Sequence, residues 1–474
     1  MNGNPAGDTL GALFGAQRAA FDAERNPSFV VRRGRLDRLA ALVEANEAAF
    51  VAAIAADFGV RPAQETRLAE LFMVIAAIRH ARRNLRRWMR SRTVATPLYL
   101  RPGRSHIVRQ PRGVVGVISP WNYPVQLALL PVVAALAAGN RVLLKPSELT
   151  PKTSALLERV VGSHFTADEF AVVTGGADVG EAFARLPFDH LFFTGSTAVG
   201  RKIARAAAGN LTPLTLELGG KSPALIHADA DLEALAPRLA VGKLLNAGQT
   251  CIAPDYVLAP ADRVDALVKA LASSVAALYP QLGANPDYTS IINDRHYARL
   301  AALIDDAEAK GARVLRLNPG NELLPERSRK LAPTLLVDVR DDMAAMREEI
   351  FGPILPIETY STFDEAIVRI NARPRPLALY AFGGDARSRM RLLQQTIAGG
   401  VTFDDTLWHF CNEELPFGGV GASGYGAYHG EQGFLAFTHE KAVFTQPRFA
   451  PTWLLYPPYR KRFDAVLKIL KQLA

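Results

Sequence analysis

Between residues 106 and 208 short apolar runs alternate with stretches of helical length. Residues 106–110, 113–118, 141–144, 171–173 and 190–193 have the texture of strands. Residues 125–138, 153–161 and 199–208 have that of helices, the first apolar all round. Such a pattern buries its apolar surface as a parallel, doubly wound sheet with helices on both faces. A second series starts at 223–226 and continues through helices at 232–245, 264–278 and 297–310 and strands at 335–337 and 355–360. It predicts a second α/β lobe. Before the first series, Leu36, Leu39, Val43, Phe50 and Ile54 keep a helical stripe, which Gly59 is placed to stop. At 474 residues the chain has length for about three domains of ~150 residues.

Composition narrows the class. With 49% hydrophobic and 21% charged residues the chain is globular rather than disordered. Two cysteines, Cys251 and Cys411, exclude a disulfide scaffold and make a reducing, cytoplasmic compartment the expectation. The longest apolar stretch, 125–139, is too short to span a bilayer and contains Pro131. The first seven residues lack a basic segment followed by an apolar one, so no secretory signal is expected. The net charge of +9 draws on a cluster formed by Arg79, Arg82, Arg83, Arg86, Arg87, Arg90 and Arg92. Leu68, Leu71, Ile75 and Ile78 recur beside it at helical spacing, which places the arginines on the wet face of an amphipathic helix. No nucleic-acid-binding signature accompanies them. Near the end, 460–473 is a basic helix with Phe463, Val466, Leu467 and Leu470 along one side. Packing on a partner or on its own domain is the expectation, with peripheral membrane contact as the alternative.

Four segments carry chemistry. In Leu216-Glu-Leu-Gly-Gly-Lys-Ser-Pro223 a carboxylate sits in an apolar run, expensive to bury unless paired or used, and two glycines let the backbone pass close to something. The competing reading of Glu217 is a structural ion pair. In Asn246-Ala-Gly-Gln-Thr-Cys-Ile252 a cysteine lies in a loop of small residues, suited to a thiolate nucleophile, against the ordinary fate of a buried inert thiol. Ser119-Pro-Trp-Asn-Tyr-Pro124 follows a strand at the carboxyl end, where α/β sheets bind ligands, and its Asn122 amide suits an oxyanion. The other reading is an Asn in a Pro-rich turn. Thr194-Gly-Ser-Thr-Ala-Val-Gly200 joins a strand to a helix, where phosphate groups sit on helix N-termini. The nine histidines show no metal-ligand spacing, so no metal is expected, and no serine-hydrolase elbow is present.

Together these segments resemble the aldehyde dehydrogenase superfamily. The matching pieces are Pro120-Trp-Asn-Tyr-Pro, Leu144-Lys-Pro-Ser-Glu, Phe193-Thr-Gly-Ser-Thr-Ala-Val-Gly, Leu216-Glu-Leu-Gly-Gly-Lys, Gly248-Gln-Thr-Cys, Glu349-Ile-Phe-Gly-Pro and Pro416-Phe-Gly-Gly-Val-Gly, in the family's order from Pro120 to Gly421. Ile252-Ala-Pro-Asp-Tyr, Gly426-Ala-Tyr-His-Gly and Tyr456-Pro-Pro-Tyr are similar to the class 3 branch, and within it to bacterial coniferyl aldehyde dehydrogenases. The long apolar tail of membrane-bound fatty aldehyde members is not seen.

The resemblance implies a Rossmann-type cofactor domain (1–97 with 113–218), an α/β catalytic domain (219–410), a strand oligomerisation arm (98–112 with 430–448) and a C-terminal tail with an amphipathic helix (449–474). It implies a homodimer that oxidises an aldehyde with NAD+, NADP+ being the alternative cofactor. Cys251 would attack the aldehyde to give a thiohemiacetal, Asn122 would hold the oxyanion, and Glu217 would activate the water that hydrolyses the thioester. Ile118, Trp121, Lys145, Glu148, Gly195, Ser196, Gly200, Glu349 and Phe351 would bind the cofactor. Glu148 favours NAD+, because a carboxylate repels a 2′-phosphate. Coniferaldehyde is the expected substrate and a medium- or long-chain aliphatic aldehyde the alternative. Tyr123, Trp408, Phe410 and Phe417 are candidates to line an apolar tunnel. Asp404 departs from the class 3 pattern and adds a charge expected near the substrate loops. A cofactor-independent thioesterase using Cys251 and Glu217 is disfavoured by the dinucleotide segments. A non-catalytic protein is disfavoured by retention of Cys251, Glu217 and Asn122 together. A CoA-acylating dehydrogenase is disfavoured by the presence of Glu217.

Overall fold

The computed structural model describes residues 5–459 and 461–473. The expectations placed on Met1 to Asn4 and on Arg460 lie outside the described residues.

Three sheets organise the chain. The first has six strands in the spatial order Gly424–Tyr425, Leu214–Leu218, His190–Gly195, Val114–Ile118, Arg141–Lys145 and Phe170–Val172. The second has seven, in the order Arg313–Arg316, Thr334–Val337, Ile354–Tyr360, Tyr256–Pro260, Pro223–Ile226, Ala378–Phe382 and Gly400–Phe403. Both are parallel except at one edge: Gly424–Tyr425 and Arg313–Arg316 run antiparallel to their neighbours. The third is an antiparallel ribbon of Arg92–Val94, Arg104–Pro111 and Thr438–Thr445. It takes in Arg92–Val94, ahead of the arm boundary at residue 98, and Gly430–Ala436 within that arm is helical.

In the first sheet the chain adds strands outward from Val114–Ile118, first toward Phe170–Val172, then across to His190–Gly195 and Leu214–Leu218. The reversal lies between Val114–Ile118 and His190–Gly195. Their carboxyl ends open into Ser119–Asn122 and Gly195–Thr197, so the crevice of an open α/β sheet falls on two of the segments singled out by sequence. Helix Gln126–Ala138 is buried along nearly its whole length against this sheet, which explains its lack of a polar face.

One helix departs from the sequence pattern. The stripe of Leu68, Leu71, Ile75 and Ile78 does not hold: Leu71 and Ile78 are buried, Ile75 is half-buried, and Leu68 is exposed. Residues Thr66–Phe72 form a π-helical turn ahead of the α-helix Met73–Trp88. A π-turn spends an extra residue, and each residue rotates the face by about 100°, so the phase before the turn differs from the phase after it. Beyond it Val74, Ala77, Ile78, Ala81, Leu85 and Trp88 are buried. Arg82 and Arg79 pair on the outer face with Asp37 and Glu44, as a solvated face predicts. At the other end, Lys461–Leu473 leans Phe463, Val466 and Leu470 toward its own chain, while Leu467 and Ile469 stay exposed. No single helix among the described residues is long and apolar enough to cross a membrane.

Asn140 ties the ribbon to the first sheet. It is fully buried; its Nδ2 donates to the carbonyls of Ala135 and Phe437, both at 3.0 Å, and its Oδ1 accepts from the amides of Arg112 at 2.8 Å and Gly113 at 3.0 Å. Replacing Asn140 with Ala leaves buried backbone groups without partners, each costing about 1–3 kcal/mol. The expected outcome is a loss of about 2–4 kcal/mol, read as a lowered thermal unfolding midpoint. An unchanged midpoint would show the four bonds to be energetically neutral.

Candidate active site

The loop bearing Cys251 begins where helix Leu232–Leu244 ends. The sequence pattern runs that helix through Leu245, but Asn246 and Ala247 take left-handed backbone angles, φ 52° in both. Gly248 follows with φ 76°, and a Cβ there would lie 2.3 Å from the Gly352 carbonyl oxygen. Only glycine fits, and the contact seats the cysteine loop on the Glu349–Pro353 segment. Cys251 is half-buried at the end of this turn. Burial, then the charges of Glu349 and Glu217, push its thiol up to about 12.

Asn122 reaches this loop from the first sheet. It is buried, and its Nδ2 donates to the carbonyl of Gln249 at 3.0 Å. Asn246 Nδ2 donates to the carbonyl of Asn122 at 2.9 Å and to that of Gln249 at 3.1 Å. The Tyr123 hydroxyl lies 2.7 Å from Thr250 Oγ1. Sequence reading did not single out Asn246 and Gln249 as partners of Asn122, or Thr250 as the partner of Tyr123. They stand in the cysteine segment, but no spacing links two loops from different sheets.

Glu217 lies one residue before the end of strand Leu214–Leu218, second from the edge of the first sheet. It is 2% exposed, and neither carboxylate oxygen has a hydrogen-bond partner among the described residues. Burial holds its carboxyl well above the usual range. The structural ion-pair reading therefore fails: Glu217 pairs with no cation among the described residues. Gly424 pairs with Glu217 across the sheet edge, and a Cβ on Gly424 would lie 1.9 Å from the Leu216 carbonyl oxygen. The segment after Gly421 thus closes directly over this strand.

The first glycine after Leu218 makes room for Glu349. A Cβ on Gly219 would lie 2.1 Å from Glu349 Oε1, which itself has no partner. Burial, then the nearby charge of Asp255, raise Glu349 to about 8. Lys221 ion-pairs with Asp255 and donates to the carbonyls of Ala345 at 2.7 Å and Glu348 at 3.0 Å. Asp255 in turn accepts from the amide of Ile350 at 2.8 Å, so the strand end and the Glu349 segment are locked together. Phe351 meets Trp121 edge-on with ring centroids 5.4 Å apart. Four segments far apart in sequence therefore converge on one cleft.

The remaining expected cofactor residues sit at the sheet's crevice. Lys145 Nζ lies 3.0 Å from Glu148 Oε2. Ser196 caps helix Thr197–Ala208, its Oγ accepting from the Val199 amide. Gly195 precedes that cap. Gly200 lies one turn inside the helix, where a Cβ would come within 2.7 Å of Leu218, so it sets how closely the helix approaches the sheet. Ile118 packs in the core with Phe193 and Leu218. Ser119 Oγ and Thr194 Oγ1, at the carboxyl ends of the two strands flanking the crevice, are buried without hydrogen-bond partners among the described residues. Orphaned hydroxyls at the carboxyl ends of these strands, beside the N-terminus of helix Thr197–Ala208, fit a polar ligand.

Two expectations are corrected. Asp404 is not a free charge near the substrate loops. Its carboxylate pairs with Arg389 at 2.7 Å and accepts from the Gly383 amide at 3.0 Å, because the turn after strand Gly400–Phe403 needs an anchor. Trp408 stands 62% exposed, so it lines no enclosed tunnel here. Phe410 and Phe417 pack edge-on at 4.7 Å, in a cluster with His409, Tyr428 and His429.

The family model for the aldehyde dehydrogenase family matches residues 8–443. A probable coniferyl aldehyde dehydrogenase of Pseudomonas aeruginosa is 48% identical, covering 97% of this chain and 95% of its own. A coniferyl aldehyde dehydrogenase of a Pseudomonas species is 45% identical over 99% and 98%. A substrate-bound structure of the Staphylococcus aureus aldehyde dehydrogenase AldH superposes with a TM-score of 0.92 at 38% identity, covering 97% of this chain and 99% of that one. A Mycobacterium tuberculosis aldehyde dehydrogenase complexed with NAD+ gives 0.83 at 32% identity, over 94% and 91%. With this match spanning most of its length and carrying the cysteine, amide and carboxylate segments in one cleft, the chain belongs to the aldehyde dehydrogenase family.

Proposed function

We propose that this enzyme oxidises an aromatic aldehyde of the coniferaldehyde type to its carboxylic acid, with NAD+ as the preferred cofactor. The observation that carries the reaction is the convergence of a loop thiol, a side-chain amide bonded to that loop, and a buried carboxyl with no partner. The substrate class rests on relatives at 45% and 48% identity over nearly full length, named for coniferyl aldehyde. Glu148, beside Lys145, supports NAD+ over NADP+ at the ribose end.

Cys251 loses its thiol proton to solvent as Sγ bonds to the aldehyde carbon, and the carbonyl oxygen becomes the oxyanion of a thiohemiacetal. Asn122 Nδ2 and the Cys251 amide stabilise the oxyanion, a contribution of roughly 2.7–4 kcal/mol for one such donor. The bound cofactor supplies the hydride acceptor at its nicotinamide ring. Gly195, Ser196 and the first turn of helix Thr197–Ala208 would hold its pyrophosphate, Lys145 and Glu148 its adenosine ribose, and Glu349, Phe351, Trp121 and Ile118 would flank the nicotinamide end. Glu217 removes a proton from the water that cleaves the thioester. Its burial makes it a stronger base once ionised than a carboxylate in water.

Residues 1–97 with 113–218 form the cofactor domain, 219–410 the catalytic domain, and the ribbon the arm of a homodimer. Strand Thr438–Thr445 supports the arm: it pairs on one side with Arg104–Pro111, and no strand pairs its other side among the described residues. Location in a reducing cytoplasm agrees with the two free cysteines.

Three measurements test this reading. Reduced nicotinamide should form with coniferaldehyde and NAD+ faster than with decanal or NADP+, and not at all in Cys251→Ala. A preference for decanal would replace the substrate class, and no turnover by a folded, cofactor-binding protein would remove the reaction. Glu217→Gln should keep one turnover of reduced nicotinamide and lose steady-state rate by about 10²–10⁴-fold. Loss of the first turnover as well would move Glu217 to an earlier step. Finally, a thiol pushed up to about 12 stays protonated near neutrality. In a Cys411→Ser background, iodoacetamide labelling of the cofactor-free enzyme should therefore climb steadily through pH 10. A plateau by pH 8 would show a thiolate already present.

A further inference from the structure

Arg61 and Glu70 form an ion pair whose two side chains are both wholly inaccessible, with Nη2 and Oε1 3.3 Å apart. Neither belongs to the segments that carry the chemistry, and both lie in the helical N-terminal region. Building on the assignment of Asn122 to the oxyanion, we propose that Arg61, held by Glu70, is a positioning residue for that amide.

The geometry grips the Asn122 loop at two points. Arg61 Nη1 donates to the main-chain carbonyl of Asn122 at 2.7 Å. Asn246 Nδ2 donates to the same oxygen at 2.9 Å, so both of its lone pairs are engaged and the peptide plane that follows Asn122 is fixed. The guanidinium lies over the rings of Phe58 and Tyr123, 4.9 and 4.8 Å from their centroids, which keeps it from swinging away. A few residues on, Glu70 Oε2 accepts from the amides of Val125 at 2.7 Å and Gln126 at 3.2 Å, where helix Gln126–Ala138 begins. Carbonyl and amides are thus held by the two halves of one ion pair, and the Asn122 side chain leaves the chain directly beside the first of these grips.

Arginine suits the task better than lysine. Its planar fork presents one nitrogen to the carbonyl and another to the carboxylate at once, whereas a lysine offers a single point charge. The π-helical turn Thr66–Phe72 contains Glu70. The extra residue in that turn shifts the helix face, and Glu70 falls fully buried against the loop.

A double-mutant cycle tests this. Arg61→Met is combined with Glu70→Gln, so that no lone charge is left buried. In the otherwise native enzyme the NAD+ dissociation constant should stay unchanged, while the single-turnover rate of reduced-nicotinamide formation at saturating aldehyde falls about 10–100-fold. Arg61→Lys should recover only part of that rate. In an Asn122→Ala background the same pair of changes should alter the rate by less than about threefold, because the amide they position is already gone. If the two losses multiply, the pair acts on stability or elsewhere in the site, and the inference fails while Asn122 keeps its role. If Asn122→Ala alone leaves the rate intact, the oxyanion assignment fails and this inference with it.

Discussion

The interlock between the Asn122 loop and the Asn246–Gln249 loop is the contact on which the rest depends. One loop leaves the first sheet and the other leaves the helix that precedes the second sheet's strand Tyr256–Pro260. One carries the Asn122 amide and the other the Cys251 thiol. Asn122 donates to Gln249, and Asn246 donates back to Asn122, so neither loop can shift without breaking bonds in the other. Side-chain amides suit this use because each carries both donors and an acceptor.

This arrangement costs backbone strain. Asn246 and Ala247 both hold φ 52°, and for Ala, without a side chain that bonds locally, the left-handed region costs roughly 1–2 kcal/mol. The surrounding bonds offset it: Glu65 accepts from the Asn246 amide, and Gln249 Nε2 donates to the carbonyls of Asn246 and Ser290. The strain sits where a helix must stop abruptly and deliver a cysteine into a cleft, the kind of site where sparsely populated angles persist.

Much of this was legible in the sequence, for physical reasons. The alternation of apolar runs revealed the first sheet because parallel strands buried on both faces have no polar positions to blur them. The glycines at 219 and 248 signalled close approach, and the structure supplies what approaches: the Glu349 carboxyl and the Gly352 carbonyl. What was not legible depends on phase or on long-range pairing. The exposure of Leu68 required knowing of a π-turn, which leaves no mark in composition. The partnership of Arg61 with Glu70 and Asn122 joins three segments that only the fold brings together. Asp404 misled because a carboxylate near a substrate loop and one anchoring a turn look alike until Arg389 is seen beside it.

The two parallel sheets also show why topology alone does not make a nucleotide site. The second sheet has its own reversal of strand order, between Pro223–Ile226 and Ala378–Phe382, and there too a Gly-Gly turn leads into a helix, Ala386–Gln395. The amides that would face an anion are already taken. Gly384 donates to Asp229 at 2.7 Å and Gly383 to Asp404 at 3.0 Å, with Arg389 bonded to Asp404 and to both glycine carbonyls. The protein has filled that crevice with its own carboxylates. In the first sheet the corresponding hydroxyls of Ser119 and Thr194 stay unpartnered. Buried polar groups left without partners are costly, so the two crevices differ physically: one leaves hydroxyls open and the other bonds its turn amides internally. The same reasoning applies to Glu217, whose bare carboxyl in an apolar strand makes sense only when something else enters the cleft beside it.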